Sequence, residues 1–116
     1  MTRVAPLRTN ATPPKRPAAP LEAMQAHAAE AAALLRSLGN EHRLLVLCHL
    51  VEGELGVGEL LARVPLSQSA LSQHLAVLRE AGLVSARREG VQVFYALAPG
   101  PVQPLMATLH DIYCHD

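Results

Sequence analysis

Between residues 58 and 97 a short apolar helix, a Pro-Leu break, a polar helix and a β-hairpin follow one another without spacers. The polar helix, Ser67 to Ala81, keeps Leu71, Leu75 and Leu78 on one face. Ser67, Gln68, Ser69, Ser72, Gln73 and His74 occupy the rest of its surface. Hydrogen-bonding side chains presented this way suit base edges in a major groove, and the order of elements predicts a winged helix-turn-helix.

The remaining elements follow from period and punctuation. Residues 1–20 carry five prolines, Arg3, Arg8, Lys15 and Arg16 and no acid, so a disordered basic tail is expected there. It reads either as an arm against DNA phosphates or as a solubilising leader, and no site is assigned to it. The domain is expected over 21–116. Pro20 opens a helix to Leu38, with Met24, Ala28, Ala31, Leu35 and Leu38 on one seam, facing either the core or a second copy. Asn40 caps a second helix over 41–52, apolar around most of its circumference and hence expected at the centre of the fold.

Val57, Leu60, Leu61 and Val64 make a short third helix that Pro65 ends, and Ser67 and Gly82 bound the fourth. Leu83–Arg88 and Val91–Leu97 read as strands joined around Glu89-Gly90, the wing. A fifth helix begins near Val102, with Leu105, Met106, Leu109, Ile112 and Tyr113 as its apolar stripe. The expected class is therefore mainly α with a β-hairpin wing: four helices, two strands and a last helix.

Composition narrows the function. Of 116 residues half are apolar but only Phe94, Tyr95 and Tyr113 are aromatic, so the core is built from Leu, Val and Ala. Overall charge is zero and the tail holds +4, leaving −4 on residues 21–116. Nucleic acid must then be met by locally clustered groups. Gln68 and Gln73 can pair bidentately with adenine, and the serines can bond to bases or phosphates. Arg87, Arg88 and Gln92 near the hairpin tip reach phosphate or the minor groove. Double-stranded DNA is the expected partner; the alternative is a protein-interaction module or antirepressor with the same residues as a solvated face.

No apolar run is long enough to span a membrane and no signal peptide is evident, which points to the cytoplasm and to reduced thiols. No phosphate loop, nucleophile elbow or paired acid and base appears, so no enzyme and no cofactor are expected. Cys48 lies within the second helix, where burial is expected, and Cys114 near the chain end, one turn after His110. Packing thiols, a redox pair and a metal site of Cys48, Cys114 and His110 all remain open on spacing alone. The adjacent pairs Cys48-His49 and Cys114-His115 point about 100° apart and do not chelate one ion easily. His27, His42 and His74 read as exposed helix residues.

The segments Leu38-Gly-Asn-Glu-His-Arg-Leu-Leu-Val-Leu, Leu66-Ser-Gln-Ser-Ala-Leu-Ser-Gln-His-Leu75 and Arg87-Arg-Glu-Gly-Val-Gln-Val-Phe-Tyr95 resemble the ArsR/SmtB-type bacterial repressors over about residues 30–114. The resemblance implies a homodimer built on the first and fifth helices that leaves operator DNA, an inverted repeat, when an inducer binds. Metal-sensing members carry Cys-Val-Cys on the third helix, where this chain has Gly56-Val57-Gly58; the spaced Asp and His ligands of zinc and nickel sensors are not reproduced in the last helix either. No metal residue is assigned.

Cys48 and Cys114 match the two positions of the thiol-based, persulfide-sensing subgroup. What that resemblance implies is a repressor, active when reduced, that reacts with persulfide or polysulfide. A polysulfide bridge between the second and fifth helices then changes their geometry. A general oxidant switch closing a plain disulfide and a metal sensor are the alternatives.

Overall fold

A computed structural model of the chain describes residues 19–114, so the expected basic tail, apart from Ala19 and Pro20, lies outside the described residues. The elements run α1 (Ala19–Leu38), α2 (Glu41–Leu50), β1 (Leu55–Gly56), α3 (Val57–Arg63), α4 (Gln68–Glu80), β2 (Val84–Glu89), β3 (Gln92–Leu97) and α5 (Val102–Tyr113). Two compact units meet in sequence between Ala33 and Leu34. The first holds most of α1. Pro20 sits in the helix's opening turn, where its missing N–H leaves no bond unmade. Leu21 and Met24 are exposed, and His27 Nδ1 lies 2.7 Å from Glu30 Oε1.

The second unit carries the helix-turn-helix and the wing. Its core joins Val46, Leu47 and Leu50 of α2, Leu60 of α3, Leu71, Leu75 and Leu78 of α4, Leu83 and Val84 at the entry to the hairpin, and Val102 and Met106 of α5. The leucine triad of α4 thus faces inward as its spacing predicts. Ser67 Oγ accepts from the Ala70 N–H at 3.1 Å to start that helix. Gly82, at φ 78°, ends it: the Gly82 N–H reaches the Arg79 carbonyl, and the Leu83 N–H reaches that of Leu78. This is a Schellman cap, and Leu78 and Leu83, at its two apolar positions, are both fully buried in the core.

Two expectations are corrected here. The sheet has three strands, in order β1-β3-β2, because Leu55 and Gly56 pair antiparallel with Tyr95 and Phe94. A side chain at Gly56 would press on the Phe94 ring, its Cβ falling 3.3 Å from that ring. The hairpin itself pairs Val84 with Leu97 through to Glu89 with Gln92, and turns at Gly90 and Val91. The second correction concerns α2, which stops at Leu50. The Val51 N–H closes a three-residue turn onto the Cys48 carbonyl at 3.3 Å, and Gly53 turns the chain away at φ 152°. Its circumference is not all core: Leu45 and Val51 are exposed and Leu44 half-buried.

Candidate functional site

Ser67, Gln68, Ser69, Ser72 and Gln73 are exposed, on the α4 surface away from the leucine triad. His74 is set apart from them. It is half-buried, its ring 6.0 Å from that of His42, and its Nδ1 accepts from Arg43 Nη1 at 3.4 Å. Burial first, then the Arg43 guanidinium and His42, hold the His74 imidazole below the ordinary histidine range, so it is neutral at pH 7. The expectation that His42 and His74 are exposed helix residues is therefore corrected. A positional signal existed: His74 falls three residues after Leu71 and four before Leu78, at the margin of the apolar stripe.

On the wing, Arg88 and Gln92 are exposed near the tip. Arg87 is exposed too, but its guanidinium is held. Nε and Nη2 donate to the two carboxylate oxygens of Glu54 at 2.7 and 2.8 Å, Nη1 donates to Glu89 at 3.3 Å, and the group lies 4.7 Å above the Phe94 ring. The hydrogen bond from Arg87 keeps the Glu54 carboxyl below the usual carboxylate range. Glu54 was not singled out by sequence. Nothing in a one-dimensional pattern pairs the turn after α2 with a strand 33 positions on.

The two cysteines line one cleft at the other end of α2. Both thiols are free and exposed, which overturns the expectation of a buried Cys48. Leu44, Cys48 and Val51 share one helix face, and that face is left open while Val46, Leu47 and Leu50 fill the core. Cys114 ends α5, its N–H bonded to the His110 carbonyl at 2.7 Å. Cys48, Cys114 and His110 line one cleft of ≈ 840 Å³, walled by apolar groups such as Leu44, Leu97 and Met106. Burial pushes the Cys48 thiol up, and Cys114 nearby pushes it the same way. Cys114→Ser removes the second cause, so alkylation of Cys48 followed against pH should reach its half-rate at a lower pH in that variant. An unmoved half-rate pH would mean that the two sulfurs do not interact.

Among the described residues no three His, Cys, Asp or Glu side chains converge to hold a metal ion, so the Cys48, Cys114 and His110 constellation is not a ready-made site. None of the described helices is long and apolar enough to cross a membrane.

A recognition helix seated by its leucine triad, a polar outer face and a wing define a DNA-binding transcriptional regulator of the winged helix-turn-helix class. Residues 40–86 match the family described as bacterial regulatory protein, arsR family. The chain is 50% identical over 94 residues to the transcriptional activator HlyU of Vibrio cholerae, covering 81% of this chain and 87% of that protein. It is 47% identical over 95 residues to the biofilm growth-associated repressor of Agrobacterium fabrum, covering 82% and 81%. The crystal structure of the transcriptional repressor BigR from Xylella fastidiosa aligns with TM-score 0.75 at 43% identity, covering 83% of this chain and 98% of that one. The chain belongs to the ArsR family. These relatives are regulators of transcription, not enzymes.

Proposed function

We propose that the protein is a homodimeric repressor whose Cys48 and Cys114 sense persulfides and polysulfides and whose operator DNA is released when the two sulfurs are bridged. The observation that carries the sensing role is that two free thiols 66 positions apart open onto the same cleft. Exposed Leu35 on α1 and Ile112 and Tyr113 on α5 support assembly of a second copy on these helices. A two-fold dimer requires half-sites about one helical turn apart, an inverted repeat. No cofactor is needed for the chemistry, and the cytoplasm is the compartment in which it would run from reduced thiols.

The bridge balances with an organic trisulfide as both oxidant and sulfur donor. One cysteine thiolate attacks the central sulfur and expels a thiolate, leaving a mixed trisulfide. The second cysteine thiolate then attacks the sulfur bound to the first and expels another thiolate. Two thiols lose their protons, the donor is reduced to two thiols, and one sulfur stays between Cys48 and Cys114. Because Cys48 is held protonated more firmly than a free thiol, its own reaction quickens as pH rises. A bridge joining α2 to α5 acts on α2, whose buried residues pack in the same core as α4. The test is operator binding by the reduced protein before and after polysulfide. Loss of binding that a reductant reverses supports the reading, and unchanged binding rejects it.

For the DNA contacts, Ser67, Gln68, Ser69, Ser72 and Gln73 are assigned to the major groove, and Arg87, Arg88 and Gln92 to phosphate or the minor groove. Arg88→Ala should weaken all sequences alike, while Gln73→Ala should alter base preference. Glu54→Gln should release Arg87 toward phosphate and steepen the salt dependence of binding by about one unit of log–log slope. An unchanged slope would mean that Arg87 stays on Phe94 and serves the wing alone.

A further inference from the structure

We propose that Arg43 and His74 form a brace that sets the recognition helix α4 against the junction of α1 and α2, so that His74 serves operator binding by position and not by base contact. The brace is built from the Gly39-Asn40-Glu41-His42-Arg43 segment. Asn40 Oδ1 accepts from the backbone N–H groups of His42 at 2.9 Å and Arg43 at 3.0 Å, which fixes where both side chains leave α2. The Arg43 guanidinium then makes contacts in two directions. Nε donates to the Ser37 carbonyl at 2.7 Å and Nη2 to the Arg36 carbonyl at 3.1 Å, both in the last turn of α1. Its remaining arm, Nη1, meets His74 Nδ1.

A guanidinium suits this place because its donors are spread over three nitrogens in one rigid plane and so reach three separated acceptors, whereas the three donors of an ammonium share a single nitrogen. His74 must present an acceptor, so its proton resides on Nε2 and the ring must be neutral. Arg43 and His42, both on α2, are the charged or titratable groups that face it, and each disfavours its protonation. His42 Nδ1 is buried without a hydrogen-bond partner, so the second ring offers no compensating bond to a charged His74. The brace thus joins the end of α1 and the cap of α2 to the middle of the reading helix, at the margin of its apolar stripe. It rests on the DNA-binding function of the family and is independent of thiol sensing.

The experiment uses the full-length reduced protein and a duplex library with a randomised core, the bound fraction being sequenced and affinities measured on the recovered duplexes. His74→Ala should weaken binding to every recovered sequence by a common factor of about five, the scale of one lost hydrogen bond, with the preferred bases unchanged. His74→Asn, which keeps an acceptor at the δ position, should restore most of that loss. Acidification to below the ordinary histidine range should weaken wild-type binding more than that of His74→Asn, because only the wild type loses its acceptor on protonation. A changed base preference in His74→Ala that Asn does not repair would make His74 a base reader and overturn the brace. Unaltered affinity in both variants would overturn it as well, and thermal melts of each variant identify loss of fold as a separate cause.

Discussion

Cys48→Ser and Cys114→Ser proteins are each expected to stay on operator DNA when polysulfide is added, under conditions in which the wild type loses affinity at least about tenfold. That factor lies within the usual range of coupling between two sites on one protein, about 1–3 kcal/mol. The argument is one of necessity: a bridge needs both sulfurs, and either serine leaves a single thiol that can carry at most an open-chain persulfide. Both thiols open onto the cleft between α2 and α5, so only their joint reaction ties one helix to the other. Anisotropy of a labelled operator with and without polysulfide measures this directly. Release of either serine variant to the wild-type extent would remove the bridge from the mechanism. Release after peroxide as well as polysulfide in the wild type alone would keep the dithiol and replace the sulfur-selective switch by a general oxidant one.

Leu78→Ala is expected to cost about 2–5 kcal/mol of folding stability, the range for emptying a fully buried leucine site. Leu78 is fully buried in the same core as Leu83, and its carbonyl receives the Leu83 N–H. The substitution therefore opens a cavity under the last turn of the recognition helix and loosens its entry to the wing. In a domain of this size the melting temperature should fall by at least about 10 °C, followed by circular dichroism. A loss below about 1 kcal/mol would mean that the core closes around the gap. Operator binding by the fraction still folded would report how far the reading helix depends on that cap.

The recognition helix was legible because three independent signals agree on it. The Leu71, Leu75 and Leu78 period, the Ser67 cap and the Gly82 stop all fall where the structure has them. The same consistency located the hairpin within one residue at each end. β1 was not legible: Leu55 and Gly56 are too few to show alternation, and their strand character comes from pairing with Tyr95 and Phe94, nearly forty positions away. Exposure of Cys48 was missed for a different reason. Apolar residues all around α2 look the same whether they face the core of one chain or an open cleft, so periodicity could not separate Val46 and Leu47 from Leu44 and Val51.

The candidate site shows the same division. Residue type and face gave the exposed serines and glutamines of α4. Residues whose partners lie elsewhere in the fold were beyond reach: Arg87 reads as a free basic residue until Glu54 and Phe94 are seen around it, and no sequence pattern marks the three acceptors of Arg43. Pairing of Cys48 with Cys114 came from family resemblance, since spacing alone favoured no one use of the two thiols.

The central claim is tested most directly by non-reducing intact mass and peptide mapping of the full-length reduced protein after separate exposure to polysulfide and to peroxide. The account predicts, after polysulfide, a peptide joining Cys48 to Cys114 that carries one or more added sulfur atoms less two hydrogens. After peroxide it predicts no such sulfur-bearing bridge. A plain loss of two hydrogens with either reagent would contradict sulfur selectivity, and no cross-link with either would contradict the sensing role of the pair.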